Sequence, residues 1–195
     1  MLYKSRPQFI REVPMSAEVQ AARDFLVEFA RQSKMPLMQV IYLFGAEVFG
    51  GIGCPFEAKT NVPANEVGLL AVATVRSALV DQLKERQIES GHIFRLMLEN
   101  PTSTTSQGRY HADSGRFAVW TLFGTGTIGV EGDIESNCIT RLDRDTQTAL
   151  AERRGTLHSA RTGDITLTST TIIHRAGDRS PELGPRVVAI NNIID

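Results

Sequence analysis

The spacing of apolar residues changes part-way along the chain, from three- and four-residue steps to strand-like runs. Val19, Ala22, Phe25, Leu26, Phe29 and Ala30 form one helical face behind Ser16, whose hydroxyl suits an N-cap, and this predicts a helix to about Ser33. Val67, Leu70, Val75, Leu79 and Leu83 mark the buried side of a second helix, from about Asn65 to Gln87. Asp81, Lys84, Glu85 and Arg86 form its wet end, and Gly91 is its expected stop. Residues 37–49 are apolar almost throughout, and periodicity leaves helix and strand both open there. Gly45, Gly50, Gly51 and Gly53 with Pro55 predict a loop, and residues 1–15 an irregular or short extended lead-in.

From Ile93 the pattern is that of strands. Ile93–Leu98, Phe117–Phe123, Ile165–Leu167, Thr171–Ile173 and Arg186–Ile194 each read as one. Residues 100–108 form a polar loop, and the polar stretch 140–154 a short helix or a lid-like insertion. Helices first and short strands with glycine-rich turns afterwards argue for an α+β fold with an antiparallel β-core in the C-terminal half.

Composition narrows the classes. The 195 residues fit one domain, and 42% hydrophobic with 22% charged residues is ordinary for a soluble globular protein. A net charge of −1 provides no basic face of the kind nucleic acid requires, so no nucleic-acid partner is expected. No apolar run approaches the ~20 residues of a membrane span. Lys4, Arg6 and Arg11 are not followed by a signal-peptide core, and Cys54 and Cys138 lie far apart as a reduced pair would, so a cytoplasmic location is expected.

Gly124-Thr125-Gly126-Thr127-Ile128-Gly129 spells G-x-G-x-x-G directly after an apolar strand. A dinucleotide site needs a helix to start inside that motif, so that its N-terminus meets the phosphates. The continuation Val130-Glu131-Gly132-Asp133 disfavours a helix, and a glycine-rich hairpin between antiparallel strands is expected instead.

His111 and Asp113 would share one face of a strand, although an isolated H-x-D pair fits a surface turn as well. Gly163-Asp164 opens a segment ending in His174, and Gly184-Pro185 leads into Arg186, 12 residues beyond that histidine. Two imidazoles and a carboxylate on one face of a metal leave the other face open, an arrangement that favours Fe(II). Arg186, Val188, Ile190 and Asn192 share a strand face, and an arginine there needs an anionic partner such as a ligand carboxylate.

Taken together, His111-x-Asp113, Gly163-Asp164 leading to His174-Arg175, and Gly184-Pro185-Arg186 resemble the Fe(II)/2-oxoglutarate-dependent dioxygenases of the double-stranded β-helix (jelly-roll, cupin-like) fold. The resemblance covers about residues 92–195. It implies N-terminal helices (1–91, mainly helical) packed on a C-terminal jelly-roll catalytic core (92–195) in a single domain. It implies iron on His111, Asp113 and His174, and the distal carboxylate of the cosubstrate 2-oxoglutarate on Arg186. It further implies a small-molecule substrate, dioxygen as co-reactant, and oxidation of a C–H bond with release of succinate and CO2. Many members place a serine two residues after the arginine; Val188 stands there, which makes Thr121 the candidate supporting hydroxyl. Asn192 is a candidate contact for the metal-proximal end of the cosubstrate. Asp113 favours hydroxylation over halogenation. His92 and His158 read as surface residues, Arg141, Arg144, Arg153 and Arg154 as a solvated face, and Trp120 as core rather than cavity wall. Two rivals share the fold: a cupin-type metalloenzyme that does not use 2-oxoglutarate, and a non-catalytic jelly-roll binding module.

Overall fold

A computed structural model describes residues 6–33, 37–43, 54–55, 66–100, 108–134, 136–178 and 181–194. Helix α1 spans Ala17–Gln32, and the Ser16 hydroxyl accepts the Val19 N–H at 3.3 Å as its N-cap. It buries Val19, Ala22, Leu26, Val27 and Ala30. Helix α2 spans Glu66–Lys84 and buries Val72, Val75, Leu79 and Leu83. Its first turns expose Val67 and Leu70, contrary to the face read from spacing. Gln87, at φ 60°, turns the chain out of the helix by adopting the left-handed conformation. Gly91, expected as the stop, lies four residues further on, already inside a strand.

The strands are β1 (Gln8–Ile10), β2 (Leu37–Leu43), β3 (Cys54–Pro55), β4 (Ser90–Glu99) and β5 (Phe117–Phe123), followed by β6 (Ile128–Gly132), β7 (Gly155–Ser159), β8 (Ile165–Thr168), β9 (His174–Arg175) and β10 (Arg186–Ile193). Among the described residues they form a seven-stranded sheet, β1-β8-β5-β10-β4-β2-β3, and a three-stranded sheet, β7-β6-β9. All pairings are antiparallel. The ambiguous run after Pro36 is therefore a strand over Leu37–Leu43, and the N-terminal part supplies three strands to the large sheet as well as two helices. Residues 44–53, which hold the end of the apolar run and all but the last two residues of the loop expected over 45–55, lie outside the described residues, as does most of the polar loop at 100–108; Cys54–Pro55, expected to close that loop, form strand β3 instead.

The period of two in the central strands decides the layers. Phe94, Leu96 and Leu98 of β4, Ala118, Trp120 and Leu122 of β5, and Val187 and Ala189 of β10 form one hydrophobic cluster with α1 and α2. Trp120 is fully buried there, its indole N–H donating to the Gly163 carbonyl at 3.3 Å. The alternate residues face the other way, towards a cleft. Each wholly buried Leu or Phe in this layer contributes roughly 1.5–3 kcal/mol, so the helices hold the sheet by one face and leave the other to the cleft.

The glycine motif does not make a hairpin. Strand β5 belongs to the large sheet and β6 to the small one, so residues 124–127 carry the chain across from one sheet to the other. Gly124 has φ +82°, and a Cβ there would stand 2.6 Å from the Pro185 carbonyl oxygen, which is why no larger residue fits. A strand rather than a helix follows, so no helix N-terminus is available to a pyrophosphate. Thr171–Ile173, expected as a strand, form a turn that ends as β9 begins at His174.

Asp164 fastens the N-terminal segment to this framework. Its carboxylate accepts the backbone N–H groups of Glu12 at 3.0 Å and Arg161 at 2.8 Å, and pairs with Arg11. Burial acts to raise its pKa, and these hydrogen bonds outweigh it, holding the group below the ordinary carboxylate value.

Candidate metal centre

His111 and His174 are brought together by backbone. They form an isolated antiparallel bridge, each N–H donating to the other's carbonyl at 2.9 Å. Their rings stand side by side as a result, with centroids 4.4 Å apart. Asp113, two residues beyond His111, lies against both, with one oxygen 3.9 Å from His111 Nε2 and the other 3.5 Å from His174 Nε2. One ligand atom from each of the three residues lies within 4.8 Å of the others. Donors bound to one small divalent ion at about 2.1 Å stand roughly 3 Å apart in cis positions, so a small contraction closes the set.

The surroundings set the ring chemistry. His111 Nδ1 lies 3.0 Å from the Arg109 carbonyl, and His174 Nδ1 lies 3.0 Å from the Ile172 carbonyl. A carbonyl only accepts, so each Nδ1 carries a proton, which leaves each Nε2, facing Asp113, as the ring atom available to a metal. Burial lowers the pKa of His174, and the neighbouring His111 pushes the same way; Asp113 and the Ile172 carbonyl oppose this without reversing it. A neutral imidazole is the form a metal needs. The Thr168 hydroxyl donates to the Asp113 oxygen nearer His174, which orients that carboxylate. The donor set, its tautomers and this outer partner fit a divalent transition metal.

The polar stretch after β6 buttresses the centre instead of covering it. It forms helices α3 (Ser136–Ile139) and α4 (Arg144–Arg154), the latter capped by Asp143. Gln147 of α4 is buried and clamps Tyr110, accepting the Tyr110 N–H at 3.0 Å and donating to its carbonyl at 3.2 Å. Tyr110, Val130, Ile134, Ile139, Ala151 and Ile173 form a second hydrophobic cluster behind the two histidines. Arg141, Arg144, Arg153 and Arg154 are exposed, and so is His92. His158 is paired with Glu131 at 2.9 Å.

The three residues line a cleft of about 230 Å³, together with Arg95, Met97, Phe117, Val119, Thr127, Ala176, Arg186, Val188 and Ile190. Arg186 is thus in the same cleft as the histidines and Asp113. It is not, however, an unpaired cation awaiting a ligand. Its Nη1 pairs at 3.2 Å with Glu99, the residue opposite it on β4, and its Nε donates to the Thr125 carbonyl at 2.8 Å. Thr121 lies on the cleft-facing side of β5, opposite Val188, with its hydroxyl fully buried and without a hydrogen-bond partner. It does not line the cleft. Asn192 does not line it either; its amide oxygen accepts the Ile93 N–H at 2.8 Å, beside a break in the β10–β4 register.

Three residues here were not singled out from sequence: Glu99, Arg95 and Thr168. The first two had a signal. In Phe94-Arg95-Leu96-Met97-Leu98-Glu99 the charges alternate with apolar residues, which places both on the face away from the core. Thr168 had none, because its role depends on where the loop at Asp113 folds back.

No protein-family model matches the sequence, and a search of curated proteins gives no match. Solved structures do match. HygX from Streptomyces hygroscopicus, determined with nickel and 2-oxoglutarate bound, aligns with a TM-score of 0.55 at 15% identity over 97% of this chain and 82% of that one. The fold is that of the non-heme 2-oxoglutarate-dependent enzymes. Two further structures of that type, both from nogalamycin biosynthesis, align over 97% of this chain. The epimerase SnoN has a TM-score of 0.52 at 13% identity over 78% of its chain, and the carbocyclase SnoK 0.50 at 15% over 79%. Among the described residues, no helix is long and apolar enough to cross a membrane.

Proposed function

We propose that this protein is an Fe(II)- and 2-oxoglutarate-dependent oxygenase that oxidises a C–H bond of a small molecule, releasing succinate and CO2. The observation that carries the reading is the grouping of His111, Asp113 and His174, with each Nδ1 held by a carbonyl and Asp113 held by Thr168. Those three residues would hold the iron, which supplies dioxygen activation at the positions they leave open. Arg186 would take the distal carboxylate of 2-oxoglutarate, using the guanidinium N–H groups that Glu99 and Thr125 do not occupy. Thr121 offers a buried hydroxyl one strand away, and Asn192 remains the candidate for the metal-proximal end. Met97, Phe117, Val119, Val188 and Ile190 give the cleft apolar walls beside the three residues, which would lower the local dielectric there. The helices on the far side of the large sheet, packed against this jelly-roll core, fix its strands and with them the spacing of the site. The neutral overall charge and the size of the cleft support a small-molecule substrate with no nucleic acid, and a cytoplasmic setting suits the iron.

Anaerobic addition of Fe(II) and 2-oxoglutarate should give a visible charge-transfer band that His174→Ala abolishes. Absence of the band in the wild-type protein would overturn the proposal. The Glu99–Arg186 pair favours one second reading, a cupin-type metalloenzyme that does not use 2-oxoglutarate, because an internal carboxylate already meets the arginine. Arg186→Met separates the two: it should sharply raise the 2-oxoglutarate requirement under the first and leave metal-dependent activity unaffected under the second.

A further inference from the structure

The cleft holds a second arginine that the scheme above leaves without a role. Arg95 lines the cleft on the same face of β4 as Met97 and Glu99. It is half-buried, its guanidinium carbon lies 5.5 Å from the centroid of the Phe117 ring, and its Nε is buried without a hydrogen-bond partner. No described carboxylate pairs with it, whereas Arg186 is met by Glu99.

The register separates the two cations. Arg95 stands opposite Ile190 on β10, four residues along from Arg186, or about 13 Å at a strand's rise. Phe117, over which Arg95 lies, is opposite Thr168, and Thr168 donates to Asp113. Arg95 is therefore at the metal-ligand end and Arg186 at the far end. A partly buried guanidinium that no described carboxylate meets is costly to fold, and its planar fork matches an oxyanion.

We propose that Arg95 is an oxyanion receptor at the metal end of the cleft, binding a carboxylate or phosphate beside His111, Asp113 and His174. This rests on the reading of those three residues as a metal site. The oxyanion has two sources: the metal-proximal carboxylate of the 2-oxo acid, or an acidic group on the prime substrate. With Glu99 neutralising Arg186 and Asp113 offsetting part of a divalent ion's charge, Arg95 supplies the second net positive charge that a dianionic 2-oxo acid calls for. An acidic prime substrate would use the same fork.

Calorimetric titration of the Ni(II)-loaded protein tests this. The wild type, Arg95→Gln and Arg95→Lys are each titrated with 2-oxoglutarate. Acetate and inorganic phosphate are then titrated with 2-oxoglutarate saturating. Arg95→Gln should weaken one of these ligands by about tenfold or more, the scale of a lost charge-assisted bond, and Arg95→Lys should recover part of it. Weakened 2-oxoglutarate binding assigns the cosubstrate's carboxylate; weakened acetate or phosphate binding alone assigns an acidic group of the substrate. Unchanged binding of all three in Arg95→Gln overturns the proposal. Arg95→Lys keeps the charge but loses the fork, and carries the same comparison should Arg95→Gln fail to fold: wild-type affinities throughout in that variant also overturn it. A wild-type protein that takes up no Ni(II) or no 2-oxoglutarate sinks the oxygenase reading, and the acetate and phosphate titrations of the same variants then decide Arg95 by themselves.

Discussion

Glu99→Gln is the substitution that separates what Arg186 does for folding from what it does for binding. The amide keeps the shape of the carboxylate and removes its charge. In the wild type both side chains are nearly inaccessible, at 7% for Arg186 and 1% for Glu99, and they meet at 3.2 Å. Removing one partner of a buried pair costs roughly 3–5 kcal/mol, because the other charge is left uncompensated. Arg186 keeps its bond to the Thr125 carbonyl and borders the cleft, so the lower figure applies. For a protein of this size each kcal/mol moves the thermal midpoint by roughly 2–4 °C, which gives a loss of about 6–12 °C for the variant without ligand. The freed guanidinium should then hold the distal carboxylate of 2-oxoglutarate more tightly, by about tenfold, or 1.4 kcal/mol. At saturating cosubstrate the deficit should therefore shrink by roughly 3–6 °C. Differential scanning calorimetry of the Ni(II)-loaded pair of proteins, with and without 2-oxoglutarate, reads both effects. A midpoint within about 2 °C of the wild type without ligand would refute the energetic argument for the pair. A deficit that 2-oxoglutarate leaves unchanged would refute Arg186 as its receptor and favour the metalloenzyme that dispenses with it.

Two further expectations concern the candidate metal ligands. Thr168→Val removes the hydroxyl that orients Asp113 and should weaken metal binding by about 10–100-fold, measured by competition against a chromophoric chelator; unchanged affinity would show that the carboxylate is positioned without it. His174, whose folded pKa lies below 6.5, stays neutral where the unfolded chain takes a proton. Metal-free stability should accordingly be intact above pH 6.5 and fall as pH drops below it, by at most about 1.4 kcal/mol per pH unit. Urea unfolding from pH 7.5 to 5 checks this, and His174→Gln should flatten the dependence; an equally steep fall in that variant would place its origin elsewhere.

Local patterns were sufficient for α1, its Ser16 cap, and the strands at Phe117–Phe123 and Arg186–Ile193, because side-chain period and capping chemistry act within a few residues. The same locality explains why a strand, and not a helix, follows the glycine motif. The candidate set His111, Asp113, His174 and Arg186 was also drawn from the chain, since residue type and order are written there, and the fold brings all four to one cleft. Distance in sequence hid the rest. That 124–127 cross between sheets depends on which strands pair, and hydrogen bonds between strands carry no mark in one strand's composition. The rings of His111 and His174 become neighbours through a backbone bridge spanning 63 positions, which no spacing rule reports. Arg186 offered itself as an unpaired cation; only the register that sets Glu99 opposite it, and leaves Arg95 with no carboxylate partner among the described residues, shows which of the two arginines folding has already neutralised.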